Sequence, residues 1–357
     1  MCANIGFQHK LAPHQKTTLA GLVVLVSALT GIGLFPATSQ ADETRLLGPA
    51  CQVAPPFIQR SWPDTDFSRC TVSLDEIISG GPGKDGIRSI DSPEFEPVGQ
   101  SALADNEPVI TVTVADETRI YPLQILTWHE IVNDTIADMP IAVTYCPLCN
   151  ASIVFDRRLN DRVLDFGTTG NLRLSDLVMY DRQTESWFQQ YTGTGLFGAL
   201  AGQQLEVLPA RLESLRTAKQ QFPDSHILIP PRGYLRPYGA NPYVGYDTSP
   251  FPFLFNGNIP QGVKPLEYVV IADNRAWALS FVQEQERLVD GEIEISWQPG
   301  RASALDSRQI ADGRDLGNVI VHRLSATGKS LIPYKISFAF VWYAFNPEAE
   351  MIRQANE

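Results

Sequence analysis

Histidine is scarce in this chain: five occur in 357 residues, and two of them, His9 and His14, fall near the N-terminus. A histidine-rich metal cage is thereby excluded. There is no Gly-x-Ser-x-Gly elbow, no phosphate-binding P-loop, no glycine fingerprint of a Rossmann strand–helix unit and no His-Glu-x-x-His pair. The sequence therefore makes no case for a serine hydrolase of that type, an NTPase, a dinucleotide enzyme or a zincin. Basic charge is also short, with 28 Lys and Arg against 40 Asp and Glu. That balance repels nucleic acid and anionic lipid, and nucleic acid is not expected as a partner.

The first 41 residues read as an export signal. Lys10 and Lys16 precede an apolar run from Leu19 to Phe35, and Ser39-Gln40-Ala41 supplies small residues for cleavage. An uncleaved membrane anchor is the alternative, although a span needs about 20 apolar residues. Removal of residues 1–41 takes two lysines and no acid, leaving 26 basic against 40 acidic side chains and a formal charge of −14. It also removes Cys2, so the exported chain holds four cysteines in a compartment where disulfides persist, the periplasm or the cell exterior. Cys51 and Cys70 lie in a Pro-rich irregular arm, residues 42–72, and are the simplest structural pairing. Cys146 and Cys149 are then left for chemistry.

Alternation and turn signals outline a β-rich protein. Pro108–Val114 reads as a strand, returning after Asp116-Glu117 through Thr118–Tyr121, and Pro122 starts a helix expected to reach about Val132. Met139–Tyr145 and Ala151–Phe155 are strands that flank the two cysteines. Further strands are expected at Val163–Phe166, Trp187–Tyr191, Leu205–Leu208 and Ile227–Ile229. One or two helical turns are expected at Ser73–Ser79, and a helix over Arg211–Gln221. Residues 230–260, rich in Pro, Gly, Tyr and Phe, form a long ordered loop packed by rings.

The run Tyr268–Leu279 then echoes Ile110–Leu123, each with an Ala-Asp turn between strands, and Gly291–Trp297 takes the place of Met139–Tyr145 without the thiols. The expected fold class is α+β, mainly antiparallel, in two related β-rich halves (73–260 and 261–357) with a few short helices.

The segment Val143-Thr-Tyr-Cys-Pro-Leu-Cys-Asn150 is the most specific chemistry in the chain. Two thiols three residues apart chelate a thiophilic metal or cycle between dithiol and disulfide. Thioredoxin-type pairs sit at a helix N-terminus, whereas a strand–turn–strand setting is that of a metal knuckle, and Asn150 tolerates the left-handed conformation such a turn requires.

Together with Gly80-Gly-Pro-Gly-Lys-Asp-Gly-Ile87, Tyr121-Pro-Leu123, His129-Glu-Ile-Val-Asn-Asp134, Ser175–Trp187 and Tyr238–Asp247, this segment resembles the DUF3179 family over roughly residues 73–346. The family brings no established activity. Some members are described as selenoproteins; if their selenocysteine falls in the motif matching Cys146–Cys149, the resemblance implies a reactive chalcogen there.

The expected centre joins Cys146 and Cys149 to His129, on the helix one strand upstream. Three protein ligands suit copper or an open zinc site, with Glu130 as an outer partner or an acid/base. In the redox alternative, one thiol attacks, the other resolves the mixed disulfide, and His129 or Glu130 moves the proton. The partner is then a small molecule or a redox protein. A third reading leaves an inert disulfide on a scaffold. Asp176, Tyr180, Arg182, Trp187 and Gln189, with Tyr238, Asn241 and Tyr243 of the aromatic loop, are candidate pocket residues. Asp181-Arg182 equally suits a tight turn with a buried ion pair.

Overall fold

The computed structural model describes residues 51–354; the expected export segment lies outside them. The fold is built mainly from antiparallel sheets with a few short helices, an α+β architecture. Among the described residues no helix is long and apolar enough to cross a membrane.

Three sheets bear on the site. In one, Met139–Cys146 is central, paired with Ile131–Ile136 and Ala151–Asp156. Seven of its eight residues are buried, as its run of small and branched apolar side chains requires of a strand covered on both faces. In the second sheet, Phe166–Arg173 and Asp176–Asp181 form a hairpin, extended by Trp187–Gln189. The third orders Lys335–Phe338, Tyr268–Ala272, Arg275–Ala278 and Met351–Ile352. A larger sheet pairs Arg211–Ser214 with Pro108–Val114 on one side and with Asn318–Ser325 on the other. One hydrophobic cluster runs from Ile90 to Met351, so sheet and core both cross residue 260.

Several boundaries differ from the sequence reading. The first helix of the site region is Leu123–His129, ended by Glu130 at φ 59°, and Val132 already belongs to the strand Ile131–Ile136. Arg211–Ser214 is a strand, and the helix starts only after Ser214, whose side chain accepts from the Thr217 N–H. Ser73 caps a single 3₁₀ turn, and β-branched Ile77-Ile78 continues as a strand. In the arm, Pro56 opens a six-residue helix, Pro56–Ser61. Asp176 and Tyr180, read from sequence as candidate pocket residues, belong to the strand Asp176–Asp181, all six of whose residues are buried.

Contrary to the sequence reading, the dinucleotide-loop spacing does occur once, at Gly193-Thr-Gly-Leu-Phe-Gly198, but the segment is not such a loop. Its middle, Gly195–Phe197, is an edge strand with no helix behind it, so there is no helix N-terminus to receive a pyrophosphate.

The internal echo has a structural counterpart. Pro108–Val114, Glu117–Pro122, Leu123–His129, Ile131–Ile136 and Met139–Cys146 correspond in order to Tyr268–Ala272, Arg275–Ala278, Leu279–Gln285, Arg287–Asp290 and Ile293–Gln298. Both seven-residue helices end on a glutamate at positive φ, Glu130 at 59° and Glu286 at 54°. Each glutamate carbonyl accepts from the corresponding later strand, from Tyr145 N at 2.8 Å and from Trp297 N at 2.7 Å.

Candidate metal centre

The strand Met139–Cys146 delivers Cys146 into the core, and Pro147 then opens one 3₁₀ turn that returns the chain through Cys149. Asn150 closes the turn at φ 47°, ψ 35°, the left-handed conformation expected of it, and the chain re-enters the sheet at Ala151. The knuckle is held from several sides. Ser337 Oγ donates to the Cys149 carbonyl at 2.7 Å, Asn150 Nδ2 to the Ile336 carbonyl at 3.0 Å, and Tyr246 Oη to the Leu148 carbonyl at 3.0 Å.

Facing it is the tip of the hairpin between Phe166–Arg173 and Asp176–Asp181. Leu174 and Ser175 sit at φ 55° and 67°, the pair of positive φ values that a two-residue hairpin turn requires. The Ser175 carbonyl lies 3.3 Å from Cys149 Sγ and 4.0 Å from Cys146 Sγ. Asp176, the next residue, completes the group: one ligand atom each from Cys146, Cys149 and Asp176 lies within 4.8 Å of the others, and all three residues are buried. Asp176 Oδ2 accepts from Gln189 Nε2 at 2.6 Å and from Tyr191 N at 2.8 Å. Its Oδ1 has no hydrogen-bond partner within the usual distance.

Both cysteines are free thiols, in contrast to the Cys51–Cys70 disulfide. Burial raises both thiol pKa values. Cys149 rises well above the ordinary range, and at Cys146 the hydrogen bond with Cys149 offsets part of the rise. Burial also lifts Asp176 to about 6, opposed by its hydrogen bonds from Gln189 and Tyr191. On the far side, Lys335 Nζ stands 4.2 Å over the Tyr191 ring, and burial lowers it to about 8 against the attraction of Asp176. Tyr191 Oη is buried and unpartnered.

On the near side Cys146 opens into a cavity of about 110 Å³. Glu130, Tyr243, Leu177 and the glycine segment at Gly80 and Pro82 share its wall. The Glu130 carboxyl is pushed up to about 8, first by burial and then by Asp176.

His129 is not part of this group. Its Nδ1 faces the Arg88 carbonyl at 2.7 Å and its Nε2 the Tyr238 hydroxyl at 2.7 Å, so both ring nitrogens are engaged. Adjacent helix residues point about 100° apart, and it is Glu130, not His129, that faces the thiols. The third candidate ligand is Asp176, which sequence reasoning had placed among pocket residues. A lone acid heading an apolar strand, Asp176-Leu-Val-Met, was the available signal.

The remaining residues separate by place. Gln189 orients Asp176, Tyr243 lines the cavity, and Gln190 Nε2 donates to Thr144 Oγ1 at 2.8 Å. Tyr180 and Trp187 lie instead in a second hydrophobic cluster with Trp62 and Phe67 of the arm. Tyr180 Oη donates to Asp85 Oδ2 at 2.6 Å, which ties down the glycine segment. Arg182 pairs with Asp91, not with Asp181, whose carboxylate caps the turn at Thr184 and Ser186. Asn241 holds the aromatic loop through the Ser307 carbonyl, and Asp247 pairs with Arg314.

The architecture is that of a β-rich α+β protein with a buried thiol–carboxylate cluster beside a small cavity. The chain belongs to the DUF3179 family, described as a protein of unknown function, whose model matches residues 84–349. No curated protein and no solved structure matches it.

Proposed function

We propose that this protein is an exported metal-binding protein in which Cys146, Cys149 and Asp176 hold a zinc-type divalent ion, its fourth position open toward the cavity for metal-dependent chemistry. The observation that carries this reading is the meeting of two neighbouring reduced thiols with a buried carboxylate oxygen that has no other partner. Three acids in one apolar pocket do not ionise together unless a cation joins them. Two sulfurs and one oxygen suit borderline-soft zinc, and three protein ligands leave a place for water or substrate.

The dithiol–disulfide alternative fits less well. Exchange needs an accessible thiolate of low pKa, whereas Cys146 is 2% exposed, Cys149 is 0% exposed and both thiols are shifted upward. Copper(I) would be satisfied by the two sulfurs and would leave Asp176 idle. Export is supported by the basic and apolar N-terminal sequence and by the Cys51–Cys70 bridge.

Elemental analysis of purified mature protein tests the assignment. About one equivalent of zinc is expected, lost in Cys146→Ser and in Cys149→Ser. In Asp176→Asn the zinc affinity should fall by at least the 10–100-fold typical of outer-shell partners. Undiminished zinc affinity in Asp176→Asn would show that the carboxylate is not a ligand, and copper in place of zinc in the purified protein would point to a two-sulfur copper site. Metal-free protein with no free thiol after denaturation would leave an inert bridge.

A further inference from the structure

The two oxygens of Asp176 are treated unequally by their surroundings. Oδ2 accepts both hydrogen bonds, from Gln189 Nε2 and Tyr191 N, and Oδ1 accepts none. The register of the second sheet arranges this. Arg173 lies directly opposite Asp176 across the hairpin, and Gln189 lies opposite Val178, two residues along from Asp176, so the three side chains leave one face of the sheet. On that face they form a chain. Arg173 donates to Glu76 Oε2 from Nε at 2.8 Å and from Nη2 at 2.6 Å, and its Nη1 donates to Gln189 Oε1 at 3.3 Å. Gln189 Nε2 then donates to Asp176 Oδ2 at 2.6 Å. A guanidinium only donates, so the Gln189 amide has one orientation: its oxygen faces Arg173 and its nitrogen faces the carboxylate.

Resting on the metal reading above, we propose that Gln189, backed by Arg173, is a positioning residue that keeps Asp176 a one-oxygen ligand, and that this makes the centre selective for ions satisfied by four ligands over larger divalent ions that take a carboxylate through both oxygens. Turning Oδ2 toward the ion would break a charge-assisted bond and strand an amide N–H in a residue that is 1% exposed. Only Oδ1 is offered without that loss. The restraint acts through the shape of the ligand set, so an ion that needs one oxygen loses nothing by it, whereas an ion that needs two must disrupt the chain from Arg173 inward.

Cobalt substitution and competition between zinc and the larger cadmium ion give two readouts. Cobalt(II) bound by thiolates shows a sulfur-to-metal charge-transfer band, and four-coordinate cobalt absorbs more strongly in the visible than five-coordinate cobalt. The wild type should show the stronger spectrum. Gln189→Leu, close to glutamine in volume, releases Oδ2, so the visible bands should weaken toward the five-coordinate form. In the same variant zinc affinity should fall about tenfold while cadmium affinity changes little, so the zinc-over-cadmium ratio falls with it. Arg173→Met, at a partly exposed position, should move both readouts in the same direction by a smaller amount, and it decides alone if Gln189→Leu does not fold. A four-coordinate spectrum and an unchanged ratio in the variants overturn the proposal, even where affinity for both ions drops equally. Absence of the charge-transfer band from the wild type on adding cobalt overturns the metal reading itself, whatever the variants do.

Discussion

Glu107 is buried with one carboxyl oxygen unpartnered, and burial lifts its pKa to about 8 against a single backbone hydrogen bond from Gln124. Glu130 is lifted equally, to about 8. A carboxyl group whose folded pKa lies above its unfolded value keeps a proton that the unfolded chain has lost. Its cost to stability is absent below about pH 4.5 and grows as pH rises toward 8. The melting temperature of metal-free protein should therefore fall between about pH 5 and pH 8. Glu107→Gln, remote from the thiols, should flatten that slope and be worth about 3–4 kcal/mol at the upper end. Parallel melting curves for wild type and variant across that range would contradict the assignment. Arg301 is the cationic counterpart. It is 1% exposed, its Nε donates to the Gly317 carbonyl at 2.7 Å, and its Nη2 has no partner. Counting from the paired bonds of Tyr145 and Trp297, Arg301 stands where the first copy has Cys149. The backbone differs there: no 3₁₀ turn follows Ile293–Gln298 as Pro147–Cys149 follows Met139–Cys146, and Gly300 stands at φ 123°.

At the level of elements, the site depends on a glycine segment laid against a strand. Gly80 N donates to the Gly170 carbonyl at 2.8 Å and Asp85 N to the Thr168 carbonyl at 2.9 Å, which brings residues 80–85 across Phe166–Arg173 as part of the cavity wall. The contact is possible because Gly170 has no side chain. A Cβ there would meet the Pro82 carbonyl oxygen at 2.0 Å, at a φ of +75° that already favours glycine. Gly170→Ala should cost about 2–4 kcal/mol in denaturant unfolding. It should also lift the segment, so that Cys146 reacts faster with an aromatic disulfide reagent in the native state. Loss of stability with no gain in reactivity would show that the segment does not screen the thiol. The elements themselves were only partly readable beforehand. The strand–turn–strand around Cys146 and Cys149 and the left-handed Asn150 were visible, because β-branched runs and Asn act locally. The glutamate at the end of Leu123–His129 was not, because no local preference places a glutamate at φ 59°.

Across the whole molecule, the arm that precedes the family region is part of the packing. Trp62 meets Tyr180 and Trp187 edge-on at centroid distances of 4.8 and 5.0 Å, and Phe67 packs on Trp187 and Phe197. The Cys51–Cys70 bridge closes a loop with a sequence separation of 19 residues around this cluster. Its removal in the Cys51→Ser, Cys70→Ser double variant should lower stability by about 3 kcal/mol on chain-entropy grounds. The metal content of the centre should stay unchanged, since the bridge lies in a different cluster from the thiol pair. A variant that loses metal together with stability would show that arm and centre are one cooperative unit.

Composition and local pattern alone determined that this is a β-rich chain with one thiol pair in a turn, a bridged N-terminal arm and a recurring strand–turn–strand–helix unit. Each of those follows from residues close in sequence acting on their own backbone. Which residue joins the thiols as the third candidate ligand was decided only by the fold. Residues 129 and 176 are both separated from the thiols in sequence, and the choice between them depended on which way one helix residue faced and where one hairpin tip came to rest. Side-chain direction at a helix end and the meeting of two sheets are set by packing between distant segments, and no local preference encodes them.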